Sequence, residues 1–232
     1  MSYRYFVVDT ETTDATEDRG VCEVGWVELD TDGQIIDERQ SLIDPEQPIS
    51  PAASGVHHIT NKDVADSPSL EEYFSVKHPT CYGSSIAGNS IVVGHKVDFD
   101  LYTLQPYFDH VPATICTLRW ARRLWPEAPD HKLSTLTYFL NLTPNVNAHR
   151  VMADIYATHE LLLLILKETG TSLDELAARG MEPMEVKFMP FGKHKGKEVR
   201  HVDKGYLKWL LAQEGVDPDL RYTAELVMND KL

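Results

Sequence analysis

Acidic residues occur at three places in the sequence where they could act together. The first place holds Asp9 and Glu11, which follow the short apolar run Tyr5–Val8. If this run is a strand, the two carboxylates lie on the same face, because alternate side chains of a strand point the same way. Two adjacent carboxylates repel each other unless a cation neutralises them, and Mg²⁺ takes oxygen ligands of this kind. A solvated acidic strand end is the alternative interpretation.

The second and third acidic positions each lie at a predicted helix start. Asp100 follows the apolar run Ile91–Val93 and a Gly-His turn, and we expect it to begin the next helix. Asp154 lies in the first turn of a very apolar helix, and His149 lies in the loop before it. Either carboxylate could instead cap or stabilise its helix. A loop histidine is suited to accept a proton, since imidazole titrates near neutral pH.

The chain has an uneven distribution of charge. Its net charge is −14, which taken alone argues against a nucleic-acid partner. Residues 1–186 carry 13 Lys or Arg and 29 Asp or Glu, whereas residues 187–208 carry seven and two. In the basic segment, Lys193, Lys195 and Lys197 stand among aromatic residues, a combination that suits binding of phosphates and bases. The alternative is a small module with an aromatic core, solvated lysines and a role in docking another protein.

Apolar runs and turn signals predict an α/β domain followed by a small appendage. Strands are predicted at 5–8, 24–29, 91–93 and 114–116, with a return strand that starts at 34–36. Helices are predicted at 101–108, 118–125, 133–142 and 152–167, with another beginning at 206. Thr31–Gly33 is a hairpin signal, Ser172–Glu175 is a capping box, and Gly180–Pro183 resembles a linker. Alternating strands and helices favour a mixed sheet. The predicted units are 1–168, a capping helix and linker at 169–184, and a basic module at 185–232.

Composition also excludes several classes of protein. The three cysteines, Cys22, Cys81 and Cys116, are widely spaced, which predicts neither a disulfide framework nor a zinc cluster and favours a cytoplasmic location. The apolar run near the N-terminus is too short for a signal peptide. No apolar stretch is long enough to span a bilayer, so a membrane partner is not expected.

The order of the acidic motifs resembles the DEDDh family of 3′→5′ exonucleases over about residues 3–168. The resemblance rests on Asp-x-Glu at 9–11, on Phe-Asp after the Gly-His turn at 94–100, and on His-x4-Asp at 149–154. It implies a ribonuclease-H-like fold, with a mixed five-stranded sheet flanked by helices. It also implies four metal ligands, Asp9, Glu11, Asp100 and Asp154, and a general base, His149.

The family resemblance further implies a cofactor and a reaction. The cofactor would be two Mg²⁺ ions, with Mn²⁺ as a substitute, and the carboxylate-rich donor set favours these over Zn²⁺. The reaction would be 3′→5′ hydrolysis of DNA to nucleoside 5′-monophosphates, in repair or end trimming. An RNA-trimming exonuclease of the same family is the nearest alternative. A non-catalytic nucleic-acid-binding protein with the same fold is the other.

Further segments resemble a bacterial exodeoxyribonuclease branch of the family, at 48–52, 56–60, 115–117, 121–126 and 191–197. Beside the lysines of the basic segment, the predicted substrate contacts are Thr12, His57, Phe99 and Arg150. The sequence departs from the family pattern at two places. Lys96 stands where the family usually has an asparagine that supports the site, and residues 14–20 form a longer, acidic loop.

Overall fold

Five strands form a single mixed sheet in the computed structural model, which describes residues 3–76, 90–107, 113–143, 149–180 and 182–232. The strands are β1 Arg4–Thr12, β2 Val21–Leu29, β3 Ile35–Leu42, β4 Ser90–Gly94 and β5 Ala113–Cys116. Their order is β3-β2-β1-β4-β5. The β1/β2 and β2/β3 pairs are antiparallel, and the β1/β4 and β4/β5 pairs are parallel. The predicted mixed five-stranded sheet is confirmed.

Helices flank both faces of this sheet, and two further helices, the last two of the chain, belong to the C-terminal region. Within the described residues they are α1 Pro51–His57, α2 Asn61–Val64, α3 Leu70–Val76, α4 Asp98–Leu104, α5 Thr117–Leu124, α6 Leu133–Phe139, α7 Val151–Thr169, α8 Leu173–Gly180, α9 Lys204–Leu211 and α10 Pro218–Met228. In the described part of the chain, no helix combines the length and the apolar character needed to cross a membrane.

Strand β1 is buried on both faces, and its alternation determines where the acidic residues point. Tyr5 and Val7 pack in a cluster with side chains of α5, α6, α7 and α8. Phe6 and Val8 pack in a second cluster with side chains of α3 and α4. Since alternate residues share a face, Asp9 and Glu11 lie on the α7 side, and Thr10 lies on the α4 side. β1 therefore places its carboxylates toward the helix that carries Asp154.

Several element boundaries differ from the sequence-based predictions. α4 begins at Asp98, so Asp100 lies inside its first turn and does not begin the helix. The end of the predicted helix 101–108 lies outside the described residues. α6 ends at Phe139, short of the predicted 142, because Asn141 adopts a left-handed conformation with φ 54°. Helices α1, α2, α3 and α10 were not predicted.

The C-terminal residues pack around a hydrophobic cluster of their own. Its members include Met189, Val199, Leu207, Leu210, Leu220 and Val227. Two ion pairs join this region to α5, one from Arg119 to Asp219 at 2.7 Å and one from Arg122 to Asp217 at 3.0 Å. Arg119 also donates to the carbonyl oxygens of Gly180 and Glu182. The segment predicted as a linker is therefore held against α5. The division of the chain into units remains a prediction.

Candidate active site

The end of β1 is where Asp100 meets the other acidic residues. Pairing of β1 with β4 ends at Val7 and Val93, so β1 continues beyond its neighbour. Beyond that point, the backbone nitrogen of Thr10 donates to Asp100 Oδ1 at 3.0 Å, and Thr10 Oγ1 donates to the same oxygen at 2.8 Å. The Asp100 residue is only 3% exposed. The Thr10 nitrogen, which has no partner on β4, thus holds the Asp100 carboxylate beside Asp9 and Glu11.

The start of α7 supplies the other two predicted catalytic residues. The Asp154 carboxylate accepts a hydrogen bond from the backbone nitrogen of His149 at 3.1 Å. This bond accompanies a left-handed backbone at His149, with φ 68°. One ligand atom from each of Glu11, His149 and Asp154 lies within 4.8 Å of the others. The structure therefore brings together the acidic pair of β1 and the His-x4-Asp motif.

Burial, joined at Asp9 and Glu11 by neighbouring like charges, raises the carboxyl pKa values at this site. Burial, followed by the carboxylates of Asp100 and Glu11, holds the pKa of Asp9 well above its usual range. Burial and the charges of Asp154 and Glu23 raise the pKa of Glu11 to about 8. Burial raises the pKa of Asp100 to about 7, although the bonds from Thr10 oppose that shift. The site therefore has more negative charge than its own cations neutralise.

This arrangement fits a divalent cation. The convergent donors are mainly carboxylate oxygens, which are the ligands that Mg²⁺ and Mn²⁺ prefer, with one imidazole at their edge. A bound cation would favour the ionised carboxylates and so oppose the upward pKa shifts, since its charge reverses the local electrostatics. The donor set and the excess negative charge both indicate a metal centre.

A fifth carboxylate at the site, Glu23, was missed in the sequence. It lies on β2 directly opposite Glu11 and is 2% exposed. Arg150 donates to it through Nε at 2.9 Å and Nη2 at 2.6 Å, and the backbone nitrogen of Val151 donates at 3.3 Å. The available signal was a single acidic residue amid the apolar first half of β2. That signal indicates burial with a partner but does not identify the partner.

The ion pair changes the interpretation of Arg150. The sequence predicted a substrate contact, and the structure directs two of its guanidinium nitrogens to Glu23. The side chain remains 48% exposed. Because Arg150 directly precedes α7, the pair fixes the beginning of that helix and the adjacent His149. The contact of Arg150 with substrate stays a prediction.

The structure does not support His57 as a direct substrate contact. The side chain is buried, with 2% of the residue exposed. Nδ1 accepts from the backbone nitrogen of Ile59 at 3.0 Å, so Nε2 carries the hydrogen and donates to the carbonyl oxygen of Thr12 at 3.3 Å. Burial lowers the pKa of His57, which favours this neutral form. Thr12 is also buried, and its hydroxyl donates to the Asp14 carbonyl at 2.7 Å. Thr12 as a substrate contact stays a prediction.

Phe99 is partly buried beneath two basic side chains. The Arg19 guanidinium carbon lies 3.9 Å from its ring centroid, and Lys96 Nζ lies 5.3 Å from it. Arg19 also donates to the Phe99 carbonyl at 3.0 Å, so the acidic loop 14–20 is attached to α4. Lys96 has a left-handed backbone, with φ 71°. Substrate contact by Phe99 stays a prediction, as it does for Lys193, Lys195 and Lys197 of the C-terminal region.

Known proteins resemble this chain in sequence and in fold. A family described as Exonuclease (RNase_T) matches residues 6–162. Exodeoxyribonuclease 10 of Escherichia coli K12 is 34% identical over 225 residues, covering 94% of this chain and 95% of that protein. A DNA polymerase III PolC-type of Lacticaseibacillus paracasei is 35% identical over 77% of this chain but only 13% of its own length.

A solved structure shows the same likeness in three dimensions. Exonuclease X in complex with 5′ overhanging duplex DNA superposes with a TM-score of 0.61 at 31% identity, covering 75% of this chain and 98% of that one. The predicted resemblance to a bacterial exodeoxyribonuclease branch is confirmed by these matches. With the family match over residues 6–162 and a relative aligned along almost its whole length, this chain belongs to the exonuclease family.

Proposed function

We propose that this protein is a 3′→5′ exodeoxyribonuclease that uses two Mg²⁺ ions, replaceable by Mn²⁺, and releases nucleoside 5′-monophosphates. The observation that carries the proposal is the convergence of the β1 carboxylates with Asp100 and with the His149–Asp154 motif. A module that only bound nucleic acid would gain nothing from a group of convergent carboxylates, since their charged forms repel the phosphates. The arrangement therefore favours catalysis over simple binding.

Each acidic residue has a proposed role as a metal ligand. Asp9, Glu11, Asp100 and Asp154 would hold the cations. Once bound, the cations would polarise the scissile phosphate and stabilise the charge that develops on the leaving 3′ oxygen. Thr10 keeps Asp100 in place through its two hydrogen bonds.

His149 is the proposed general base. Its side chain is exposed at the edge of the carboxylate cluster, so it can reach a water molecule beside the phosphate. Attack of that water forms a new P–O bond while the bond from phosphorus to the 3′ oxygen breaks. The imidazole takes the water's proton, and the leaving 3′ oxygen takes a proton from solvent. The products are a nucleoside 5′-monophosphate and a strand with a new 3′ hydroxyl.

DNA is the proposed substrate, in repair or end trimming. Exodeoxyribonuclease 10, the similar E. coli protein, is named for action on DNA, and the exonuclease X structure contains duplex DNA. The carboxylate site itself does not distinguish the two sugars, so an RNA-trimming activity is the second candidate.

The test compares matched DNA and RNA oligonucleotides carrying a 5′ label. We expect stepwise shortening of DNA from the 3′ end with Mg²⁺ or Mn²⁺, and none with EDTA. Asp100→Asn should abolish it, because Asp100 is buried within the cluster. Asp98→Asn is the matched control, since Asp98 is exposed in the same turn of α4, and it should retain activity. Full activity of folded Asp100→Asn would refute the site, and faster hydrolysis of RNA would refute the DNA assignment.

A further inference from the structure

Helix α9 carries two aromatic side chains beside the C-terminal core, and while Tyr206 packs against that core, Trp209 is largely exposed. Leu207 and Leu210 are buried in that core, at 0% and 1% exposure. Tyr206 directly precedes Leu207, and Trp209 directly precedes Leu210. Trp209 is 53% exposed. Their ring centroids are 5.3 Å apart. Because the leucines supply the packing, an exposed tryptophan here indicates a surface available to another molecule.

The two rings line a cavity of about 430 Å³. The other lining residues are Lys193, Asp203 and Gly205. Lys193 Nζ lies 5.0 Å from the Tyr206 ring centroid, within the range of a cation–π contact. Asp203 is already engaged, since it accepts from the Tyr206 backbone nitrogen at 3.1 Å. The cavity thus has an aromatic wall of two rings, tilted by 38° to each other, with a cation beside it.

A glycine allows the lysine loop to approach this wall. Gly192 has φ 72°, and a Cβ there would lie 2.8 Å from Tyr206 Oη. The loop is closed by hydrogen bonds from the Met189 nitrogen to the Lys197 carbonyl and from the Gly196 nitrogen to the Met189 carbonyl, both 2.9 Å. The loop is therefore a defined structure that holds its side chains beside the aromatic pair.

The same loop presents unpaired positive charge. Its exposed lysines are Lys193, Lys195 and Lys197. None of the three forms an ion pair with another residue in the described ranges. Arg200, by contrast, contacts Glu198 at 2.7 Å, and Lys204 contacts Asp230 at 2.6 Å. The loop charge is therefore available to an anionic ligand.

We propose that Tyr206, Trp209 and the three lysines form a second binding surface, for single-stranded nucleic acid. A base would stack on the exposed indole, and the lysines would contact the flanking phosphates. The choice of nucleic acid rests on the proposed function, whereas the surface rests on these residues alone. An acidic peptide would match the charge but offers no planar base to the aromatic wall.

The test measures binding of a fluorescent oligothymidylate to full-length protein in EDTA, by anisotropy. Trp209→Ala should weaken binding about tenfold, the scale of one lost stacking contact. Trp209→Phe should retain most of the affinity, because a ring remains. Joint replacement of the three lysines by alanine should flatten the slope of log K against log salt by about 2, at roughly 0.7 per phosphate contact.

Controls separate this surface from the carboxylate site. Tyr138→Ala removes an aromatic side chain from α6 that is 70% exposed, and it should leave binding unchanged. Trp209→Ala should hydrolyse thymidine 5′-(4-nitrophenyl) phosphate at the normal rate. This ester is a single nucleotide, too small to contact the carboxylate site and the aromatic surface at the same time. If wild-type protein cleaves no nucleic acid while Trp209→Ala still weakens binding, the proposed function fails and the surface stands.

Two results would overturn the inference. One is unchanged affinity and salt slope in both Trp209→Ala and the triple lysine variant. The triple variant alters only exposed side chains, so it keeps the test valid if Trp209→Ala does not fold. The other is loss of binding to an Asp/Glu-rich peptide in Trp209→Ala while oligothymidylate binding is retained, which would make this a peptide-docking surface.

Discussion

The raised carboxyl pKa values at the end of β1 make the metal-free protein sensitive to pH. Glu11 has an ordinary pKa of 4.5 and a folded value of about 8. The folded state therefore binds this proton more tightly than the unfolded state does. Its contribution to stability is full below pH 4.5 and is lost as pH rises through about 8. Asp100, with a pKa raised to about 7, acts in the same direction.

We therefore expect Glu11→Gln to stabilise the metal-free protein increasingly as pH rises. Buried histidines such as His57 and His95, whose pKa values are lowered by burial, change stability in the opposite sense. The contributions of these histidines to stability cancel when Glu11→Gln and wild type are compared at the same pH. The measurement is thermal unfolding in EDTA across this range, with exposed Glu168→Gln as the control. A constant difference between Glu11→Gln and wild type at every pH would contradict the electrostatic argument.

His149 can be tested as a base or as a ligand. As the general base, His149→Ala should lose about 10²–10⁴-fold in rate, and added imidazole should restore part of it. Metal affinity should change little. Because a ring nitrogen lies within 4.8 Å of the ligand atoms of Glu11 and Asp154, titration of Mn²⁺ binding is needed alongside the rate. A parallel loss of metal affinity and rate would identify a ligand. His201→Ala, 61% exposed in side chain, is the control.

At the scale of elements, sheet strands were predictable and helix positions less so. Val7 and Val93 are fully buried, and such continuous apolar runs mark central strands. The hairpin before β3 was predicted from Gly33, which has φ 80°. α1 was missed although Ser50 caps it and Pro51 follows, because its apolar content is low. Short helices of this kind depend on packing that local patterns do not reveal.

The carboxylates of the candidate site were predicted from the order of motifs that resembles the DEDDh family. Strand alternation predicted only that Asp9 and Glu11 share a face, and spacing alone left Asp100 and Asp154 equally open to a role at a helix start. Glu23 was missed, since its importance comes from pairing with Arg150, which lies 127 residues away. Contacts at such separation depend on tertiary structure. The sequence shows both residues but not their contact.

The Glu23–Arg150 pair should position the start of α7. Arg150→Met leaves a buried carboxylate beside Glu11, and we expect a loss of about 1–2 kcal/mol, reduced from a fully buried pair because Arg150 is half exposed. The rate should fall as His149 loses its position. Adding Glu23→Gln should recover the stability, since no unpaired charge remains.

Urea unfolding and single-turnover rates measure these effects. Arg39→Met is the matched control, because its ion pair with Asp37 has side chains 47% and 41% exposed, and it should change stability by less than about 1 kcal/mol. If Arg150→Met behaves like Arg39→Met in both measurements, the pair has no positioning role.

In the whole molecule, buried charge joins the acidic body to the C-terminal region that contains the basic segment. The net +5 of residues 187–208 was evident from the sequence, with seven basic and two acidic residues. The attachment of the C-terminal region to α5 was not evident from the sequence, because Arg119 and Asp219 lie 100 residues apart. Asp219 is 1% exposed, and it also accepts from the Met184 nitrogen at 3.0 Å. The charged groups therefore fix the C-terminal region on α5.

Asp219→Ala should detach this region from α5. It leaves the Arg119 guanidinium, with a side chain 21% exposed, and the Met184 nitrogen without their carboxylate. Breaking a buried pair in this way should destabilise by about 3–5 kcal/mol. We expect amide hydrogen exchange to speed up in α9 and α10 while the amides of β1 and β4 keep their protection. Asp219→Asn, which retains an acceptor for Met184, should have a smaller effect.

A control variant and a comparison of long and short substrates then test whether the attachment of the C-terminal region to α5 affects activity. Asp230→Asn removes an exposed pair with Lys204, whose side chains are 83% and 51% exposed, and exchange should stay unchanged. If the C-terminal surface delivers DNA to the carboxylates from a fixed position, Asp219→Ala should raise KM for long oligonucleotides. Hydrolysis of a mononucleotide ester should proceed at its normal rate, because that substrate contacts only the carboxylate site. Equal loss of protection in the sheet and in α9 and α10 would instead mean that the chain unfolds as one cooperative unit, and that Asp219 stabilises all of it.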